Sequence, residues 1–344
     1  MNIIYFVPNI TIAGGIFRIV SDKMNYLAEN MEGRLFLAYY GNGQEKPIYP
    51  LHPNIQLLPI DIEWKVGFGK KINRVWKNIS IIRHIFKKYK IDIAVNANAP
   101  LLIWILPFIC RRIKKIHEFH FSYKGQQIFD KVIALTESDK KMWNLPNIFV
   151  IPNFSNIQLH ERNGRKSKVA ISAGRLESVK GYNRLIAAWV IVAQKCPDWQ
   201  LEIWGEGSLR ESLQRQIDAL HLSSVVHLKG VSPSIGEVYS HSSFFVMSSL
   251  YEGFPLVLVE AMNCGLPCVS FDITGANSII DNGKNGFLVP DNDVNALAEA
   301  CIKLIENKVL LEDMGKQAYM SGKCFSKPKV MQKWLDLFRE LMRE

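Results

Sequence analysis

Short apolar runs alternate with amphipathic stretches along almost the whole of this 344-residue chain. The runs at 2–7, 34–39, 92–96, 115–119, 131–135 and 149–151 have the length and composition of strands, and helical periodicity fills 16–28 and 74–88. A polar stretch at 153–168 interrupts the series as an interdomain linker would. The alternation then resumes with strands at 169–172, 200–204, 225–228, 243–248 and 268–271, and helices at 182–193, 209–220 and from 294 onward. Strand–helix alternation on this scale predicts parallel sheets covered by helices on both faces. We therefore expect an α/β chain of two Rossmann-like domains facing across a cleft, 1–155 and 156–325. A last amphipathic helix in 326–344 would return to the first domain.

Composition supports two cores, since 48% of the residues are hydrophobic. The six cysteines form no CxxC pair and no metal-ligand spacing, which reads as reduced cysteine of the cytoplasm. The first residues, MNIIYFVPNI, begin as an apolar strand without a basic leader, so no signal peptide is expected. The longest apolar run, 97–110, is shorter than the roughly 20 residues of a bilayer span and holds two prolines, so a buried helix is expected there. The net charge of +10 lies entirely in the first half, where residues 1–155 carry 21 Lys and Arg against 11 Asp and Glu. That asymmetry suggests a domain facing a polyanion or an anionic membrane surface.

The stretch with most chemical content is Glu252-Gly253-Phe254-Pro255-Leu256-Val257-Leu258-Val259-Glu260. The apolar run before it reads as a buried strand. The run from 256 to 264 reads as a helix closed by Gly265, with Pro255 in its first turn. A strand, a tight turn and a helix N-terminus leave free backbone N–H groups, which bind anions. Glu252 lies in the mouth of that site and Glu260 one turn into the helix. Carboxylates beside an anion site suit a ligand with both phosphate and hydroxyls, as a nucleotide-sugar has. Arg175 and Lys180 follow the first strand of the second half, where loops of open parallel sheets receive ligands. They would stabilise the charge of a departing diphosphate.

Together, Gly174-Arg175-Leu176 with Lys180-Gly181, Glu252-Gly253-Phe254-Pro255 with Glu260-Ala261-Met262, Gly265-Leu266-Pro267 and Asn285-Gly286-Phe287-Leu288-Val289 resemble retaining glycosyltransferases of family 4, which have the GT-B fold. The resemblance is strongest over 168–305. It implies that Arg175 and Lys180 bind the donor diphosphate, Glu252 the sugar hydroxyls and Glu260 the ribose hydroxyls. It also implies that the amides of Gly253 and Phe254 face the sugar and those of Leu256 and Val257 the phosphate. Gly14 and Gly15 resemble the family's N-terminal glycine loop, which lets backbone approach the donor phosphate or acceptor; an ordinary tight turn fits the pair equally. The family's sugar-pocket histidine corresponds best to His120, with His117 in reserve. Strand alternation allows at most one of the two to reach a site by regular geometry. Where many capsule-type relatives carry a glutamate, this chain has Ser278. Asp291-Asn292-Asp293 mimics a metal-binding DxD, but it precedes a helix start and reads as a cap, so no metal or other cofactor is expected.

Between Trp64 and Ile91 there are nine basic residues and no acidic one, with Ile72, Val75, Trp76, Ile79, Ile82, Phe86 and Tyr89 at helical spacing. The stretch from Lys65 to Lys90 could lie on an anionic membrane, or pack its apolar face in the core and solvate the basic one. The resulting expectation is a cytoplasmic hexosyl or N-acetylhexosaminyl transferase, peripheral on the inner face of the membrane, with no nucleic-acid partner. Its donor would be a nucleotide-diphospho-sugar, uridine favoured over guanosine. Its acceptor would be a polyprenyl-diphosphate-linked glycan of capsule, O-antigen or exopolysaccharide. The alternatives are a nucleotide-sugar epimerase of the same fold and a non-catalytic donor- or lipid-binding partner subunit.

Overall fold

The structure, a computed structural model, describes residues 1–12, 14–60, 71–118, 128–157 and 167–343, with the backbone alone at 71–75 and 101. His120, the stretch 65–70 and most of the expected linker lie outside the described residues. The chain divides into two units, residues 1–152 with 331–344, and residues 153–330.

In the first unit, β1 (Ile3–Val7), α1 (Gly15–Asn30), β2 (Leu35–Tyr40), β3 (Ile55–Ile60), α2 (Lys71–Tyr89), β4 (Ile93–Ala97), α3 (Pro100–Ile105), β5 (Lys114–Glu118), β6 (Lys131–Ala134), α4 (Glu137–Trp143) and β7 (Ile148–Val150) follow in order. The strands form one sheet, ordered β3-β2-β1-β4-β5-β6-β7, and every pairing is parallel. All residues of β1 and β4 are buried, as strands covered on both faces must be.

The second unit repeats the plan. It contains β8 (Val169–Ala173), α5 (Tyr182–Lys195), β9 (Gln200–Trp204), α6 (Arg210–Ala219), β10 (Val226–Gly230), α7 (Ile235–His241), β11 (Phe244–Met247), α8 (Leu256–Asn263), β12 (Cys268–Phe271), β13 (Gly286–Val289), α9 (Val294–Glu306) and α10 (Lys308–Gly322). Its sheet, β10-β9-β8-β11-β12-β13, is also wholly parallel. In each sheet the strand order reverses beside the unit's first strand, between β1 and β4 and between β8 and β11. These are the switch points at which open α/β sheets take ligands, beyond the carboxyl ends of the strands. The expected pair of parallel Rossmann-like α/β domains is therefore present. The final helix, α11 (Lys327–Arg343), contributes Trp334 to the first unit, where the buried Lys23 ammonium sits 4.0 Å from the ring centroid and pairs with Glu118.

Among the elements absent from the sequence reading are β3, β13 and the helices α4 and α7. β3 contains Pro59, which argues against a strand, but β3 is an edge strand and an edge tolerates the missing donor. β13 opens on Gly286, where a side chain would clash: a Cβ there would lie 2.1 Å from the Cys268 carbonyl oxygen. Residues 97–110 are no single buried helix. The α-helix stops at Ile105, a 3₁₀ turn (Leu106–Phe108) follows, and Trp104 and Phe108 are exposed. Pro107, which has no N–H, lies where an α-helix would need one. In α2, Ile82, Ile85 and Phe86 are buried against the sheet, while Trp76, Lys77, Arg83, Lys87 and Lys88 face solvent. The described part of the basic helix thus packs its apolar stripe in the core. Among the described residues no helix is long and apolar enough to cross a membrane.

Candidate active site

The loop after β8 and the loop after β11 meet at the switch point of the second sheet. Residues 178–180 form a 3₁₀ turn ended by Gly181, whose φ of 60° is left-handed. A Cβ on Gly181 would lie 2.3 Å from the Ser248 carbonyl oxygen, so the position needs glycine for both conformation and space. This close approach carries Lys180 across to the other loop. Its ammonium donates to Glu252 Oε1 at 2.5 Å, and Ser249 Oγ donates to the same oxygen at 2.9 Å. Ser248 Oγ in turn donates to the Lys180 carbonyl at 3.0 Å. Two side chains 72 positions apart in sequence thus share one bond.

α8 starts at Leu256, as the motif suggests, and Pro255, with φ −74°, is its N-cap rather than part of its first turn. The first amides, those of Leu256 and Val257, have no acceptor within the helix. The turn is backed by the loop after β12. There Gly275, at φ 90°, brings its backbone so near that a Cβ would lie 2.5 Å from the Glu252 carbonyl oxygen. Ser278 lies in the 3₁₀ turn that follows. One helical turn on, Glu260 is only 7% exposed, and Oε2 accepts from Tyr239 Oη at 3.5 Å. Burial, and after it the charge of Glu260, push the Tyr239 phenol well above its ordinary value and the Cys264 thiol up to about 12.

Arg175 is exposed on the loop after β8. That loop is tied to the loop after β9, where Leu176 N–H donates to the Glu206 carbonyl and Glu177 accepts from Ser208 N–H and Oγ. These bonds from Ser208, with a smaller contribution from Arg175, hold the Glu177 carboxyl below its usual range. The structure joins Lys180 and Glu252 directly. It leaves Arg175 on the same edge without a recorded bond to either.

In the first unit, Gly14 is the N-cap of α1, and its N–H donates to Tyr49 Oη at 3.2 Å. Neither Gly14 nor Gly15 has a left-handed φ, and a Cβ on either would meet nothing within 4 Å. Among the described residues there is therefore no steric reason for glycine at these positions. His117 is buried in β5 between Asn96 and Val132, its ring 5.2 Å from that of Phe129.

One residue that the motifs did not flag organises the site. Arg184, in the first turn of α5 and 6% exposed, donates from Nη2 to the carbonyls of Ser248 at 2.7 Å and Ser249 at 2.9 Å. Its Nη1 donates to Asp291 at 2.8 Å, and its guanidinium lies 4.2 Å from the Phe271 ring centroid. Asp293 caps α9 by accepting from Ala296 N–H at 2.9 Å. The outer two residues of the DxD look-alike thus serve an ion pair and a helix cap.

Residues 155–321 match the family model "Glycosyl transferases group 1". An uncharacterised glycosyltransferase of Haemophilus influenzae is 26% identical, with 96% of this chain and 98% of that protein covered. The amylovoran biosynthesis glycosyltransferase of Erwinia amylovora is 25% identical over 98% of this chain and 99% of that one. A Streptococcus gordonii protein named as a UDP-N-acetylglucosamine–peptide N-acetylglucosaminyltransferase subunit is 28% identical over 65% of this chain, which spans 47% of its length. Among solved structures, sucrose-phosphate synthase from Thermosynechococcus elongatus superposes with a TM-score of 0.80 at 19% identity, covering 99% of both chains. Residues 155–321 thus match a glycosyltransferase family model, two full-length relatives are glycosyltransferases, and the likeness to the solved structure is one of fold.

Proposed function

We propose that the protein is a retaining, metal-independent glycosyltransferase of family 4. It would move a hexosyl or N-acetylhexosaminyl unit from a UDP-sugar to a lipid-linked oligosaccharide of a capsule, O-antigen or exopolysaccharide. The observation that carries this reading is the Lys180–Glu252 pair at the carboxyl edge of the second sheet, with Glu252 four residues ahead of the first helical residue of α8. A cation and helix amides stabilise a diphosphate where its charge develops, and a carboxylate fixed by Ser249 holds sugar hydroxyls. The donor would exchange the internal ion pair for its own contacts, diphosphate on Lys180 and sugar on Glu252. Arg175 would add a second cation from the exposed side of the same loop. Glu260, held by Tyr239, would bind the ribose, Gly14 and Gly15 would leave room for the donor phosphate or acceptor, and His120 would line the sugar pocket.

The acceptor attacks on the face the diphosphate leaves, so the anomeric configuration is kept. A diphosphate oxygen takes the acceptor's proton, and no separate base is required. The amylovoran relative supports an exopolysaccharide or related surface-glycan product, and the streptococcal relative supports a uridine donor. An enzyme with a lipid-linked acceptor would work at the inner face of the cell membrane. The test is a thermal-shift comparison of UDP- and GDP-sugars, followed by transfer assays with lipid extract. Wild type should melt higher with UDP-sugars, and Lys180→Ala should lower kcat/KM at least about hundredfold. Normal kinetics for Lys180→Ala would reject the assignment.

A further inference from the structure

The first unit buries a charged pair deep in its core. Lys23 lies midway along α1 and Glu118 is the last residue of β5; each is 1% exposed, and the ammonium donates to Glu118 Oε1. The same ammonium lies over two rings, 4.0 Å from the centroid of Trp334 in α11 and 5.8 Å from that of Tyr5 in β1. Both rings are buried as well. One cation thus joins a helix, a central strand, the end of a second strand and the final helix of the chain.

Such a pair is a poor source of stability. Removing both charges from water costs about as much as their attraction returns, and apolar side chains of equal volume would hold a core as well or better. Burial lowers the Lys23 pKa, and the charge and hydrogen bond of Glu118 oppose that shift. What the pair supplies is a single arrangement. Around Lys23, α1 buries Phe17, Val20, Met24 and Leu27, and α11 buries Met331, Trp334, Phe338 and Leu341. An apolar stripe packs nearly as well after a small slide or rotation. An ammonium that must meet one carboxylate against one indole does not, and fixing register is the best-attested use of a buried polar group.

The register bears on two segments of the proposed site. Gly15 opens α1 eight residues before Lys23, about 12 Å along the helix axis. Glu118 ends β5 at the carboxyl edge of the first sheet, two residues ahead of His120 in sequence. We propose that Lys23 and Glu118 are positioning residues whose pair sets the register of α1 and α11 against β5, and with it the start of α1 and the carboxyl end of β5 for transfer. The inference rests on the reading of the protein as a glycosyltransferase with Gly14 and Gly15 at its site.

The test compares Lys23→Met, Glu118→Leu and the double variant in the full chain. Each single variant strands a buried charge, and its melting temperature should fall by about 10 °C. The double variant removes both charges and should melt within about 5 °C of wild type. Its UDP affinity should stay within about twofold of wild type, because Lys180 and Glu252 belong to the second unit. Its kcat for transfer should nevertheless fall about ten- to hundredfold. Amide exchange in α1 and α11 should quicken about tenfold, with α8 unchanged. A role in stability alone would instead let activity recover together with the melting temperature. The proposal is overturned if the double variant exchanges like wild type in α1 and α11, or keeps kcat within about threefold. It is equally overturned if the double variant is as unstable as the singles, since the pair would then act through stability. Wild type without transfer would reject the proposed function, and the exchange measurement would still decide whether the pair sets the register.

Discussion

Arg184 offers the sharpest test of how the fold builds the site. It bonds neither Lys180 nor Glu252, yet its Nη2 holds the carbonyls of Ser248 and Ser249, the two residues that fasten Lys180 and Glu252. Each of these two buried, charge-assisted bonds contributes about 1.5–3 kcal/mol. The bond to Asp291 adds less than about 1 kcal/mol, because that carboxylate is 51% exposed and screened. Arg184→Met keeps the packing on Phe271 but orphans two carbonyls, so we expect a loss of about 3–5 kcal/mol. For a unit of this size that lowers Tm by about 10 °C. Assayed well below the new Tm, the folded variant should also lose about a hundredfold in kcat/KM, since the Ser249 hydroxyl no longer fixes Glu252. Arg184→Lys can reach one carbonyl and should recover about half the stability, with a smaller loss in kcat than in the Met variant. Calorimetry and steady-state kinetics on the same samples separate the two effects. Folded Arg184→Met with kcat/KM within about threefold of wild type would refute the claim that this arginine positions the site.

Gly181→Ala combines a left-handed φ with a contact of 2.3 Å to the Ser248 carbonyl, and should cost about 2–4 kcal/mol by denaturant titration together with most activity. Gly15→Ala is the contrasting case. A Cβ there meets none of the described residues and alanine suits a helix better, so stability should hold or rise by up to about 1 kcal/mol. A fall in its kcat/KM would identify the start of α1 as part of the site, and unchanged kinetics would remove Gly14 and Gly15 from it. Cys264 titrates upward from 9.0 to about 12 on folding, through burial first and the Glu260 charge second, so the folded state keeps its proton longer than the unfolded one. Its contribution is complete below pH 9 and is lost as pH rises toward 12; Tm should fall across that window, with a shallower slope in Cys264→Ala. In the folded protein at neutral pH, a thiol reagent should label the exposed Cys110 and Cys324 and spare the buried Cys264, Cys268 and Cys301.

What could be read from the sequence was what is local. The unit β11–turn–α8 is legible because Gly253 and Pro255 punctuate a strand and a helix, and α8 spans Leu256–Asn263 with Gly265 at φ 68° just beyond. Lys180-Gly181 is legible as a pair because only glycine fits where it stands. The partners of these residues are another matter. Lys180 meets Glu252, and Arg184 meets Ser248 and Ser249, because β8 and β11 are neighbours in the sheet although two strand–helix units separate them in sequence. Nothing in the composition of α5 marks one arginine in its first turn as buried. A weak hint was available: Arg184 sits four residues after Lys180, so a loop that presents the lysine to the switch point presents the next helical turn to the strand end beneath it. The same logic explains the failure at 97–110, where hydrophobicity alone predicts burial. The α-helix ends at Ile105, ahead of the proline at 107, and Trp104 and Phe108 stay exposed while Leu102, Ile105 and Leu106 are buried. Apolar content tells how much surface a segment could bury; backbone geometry decides which side chains do so.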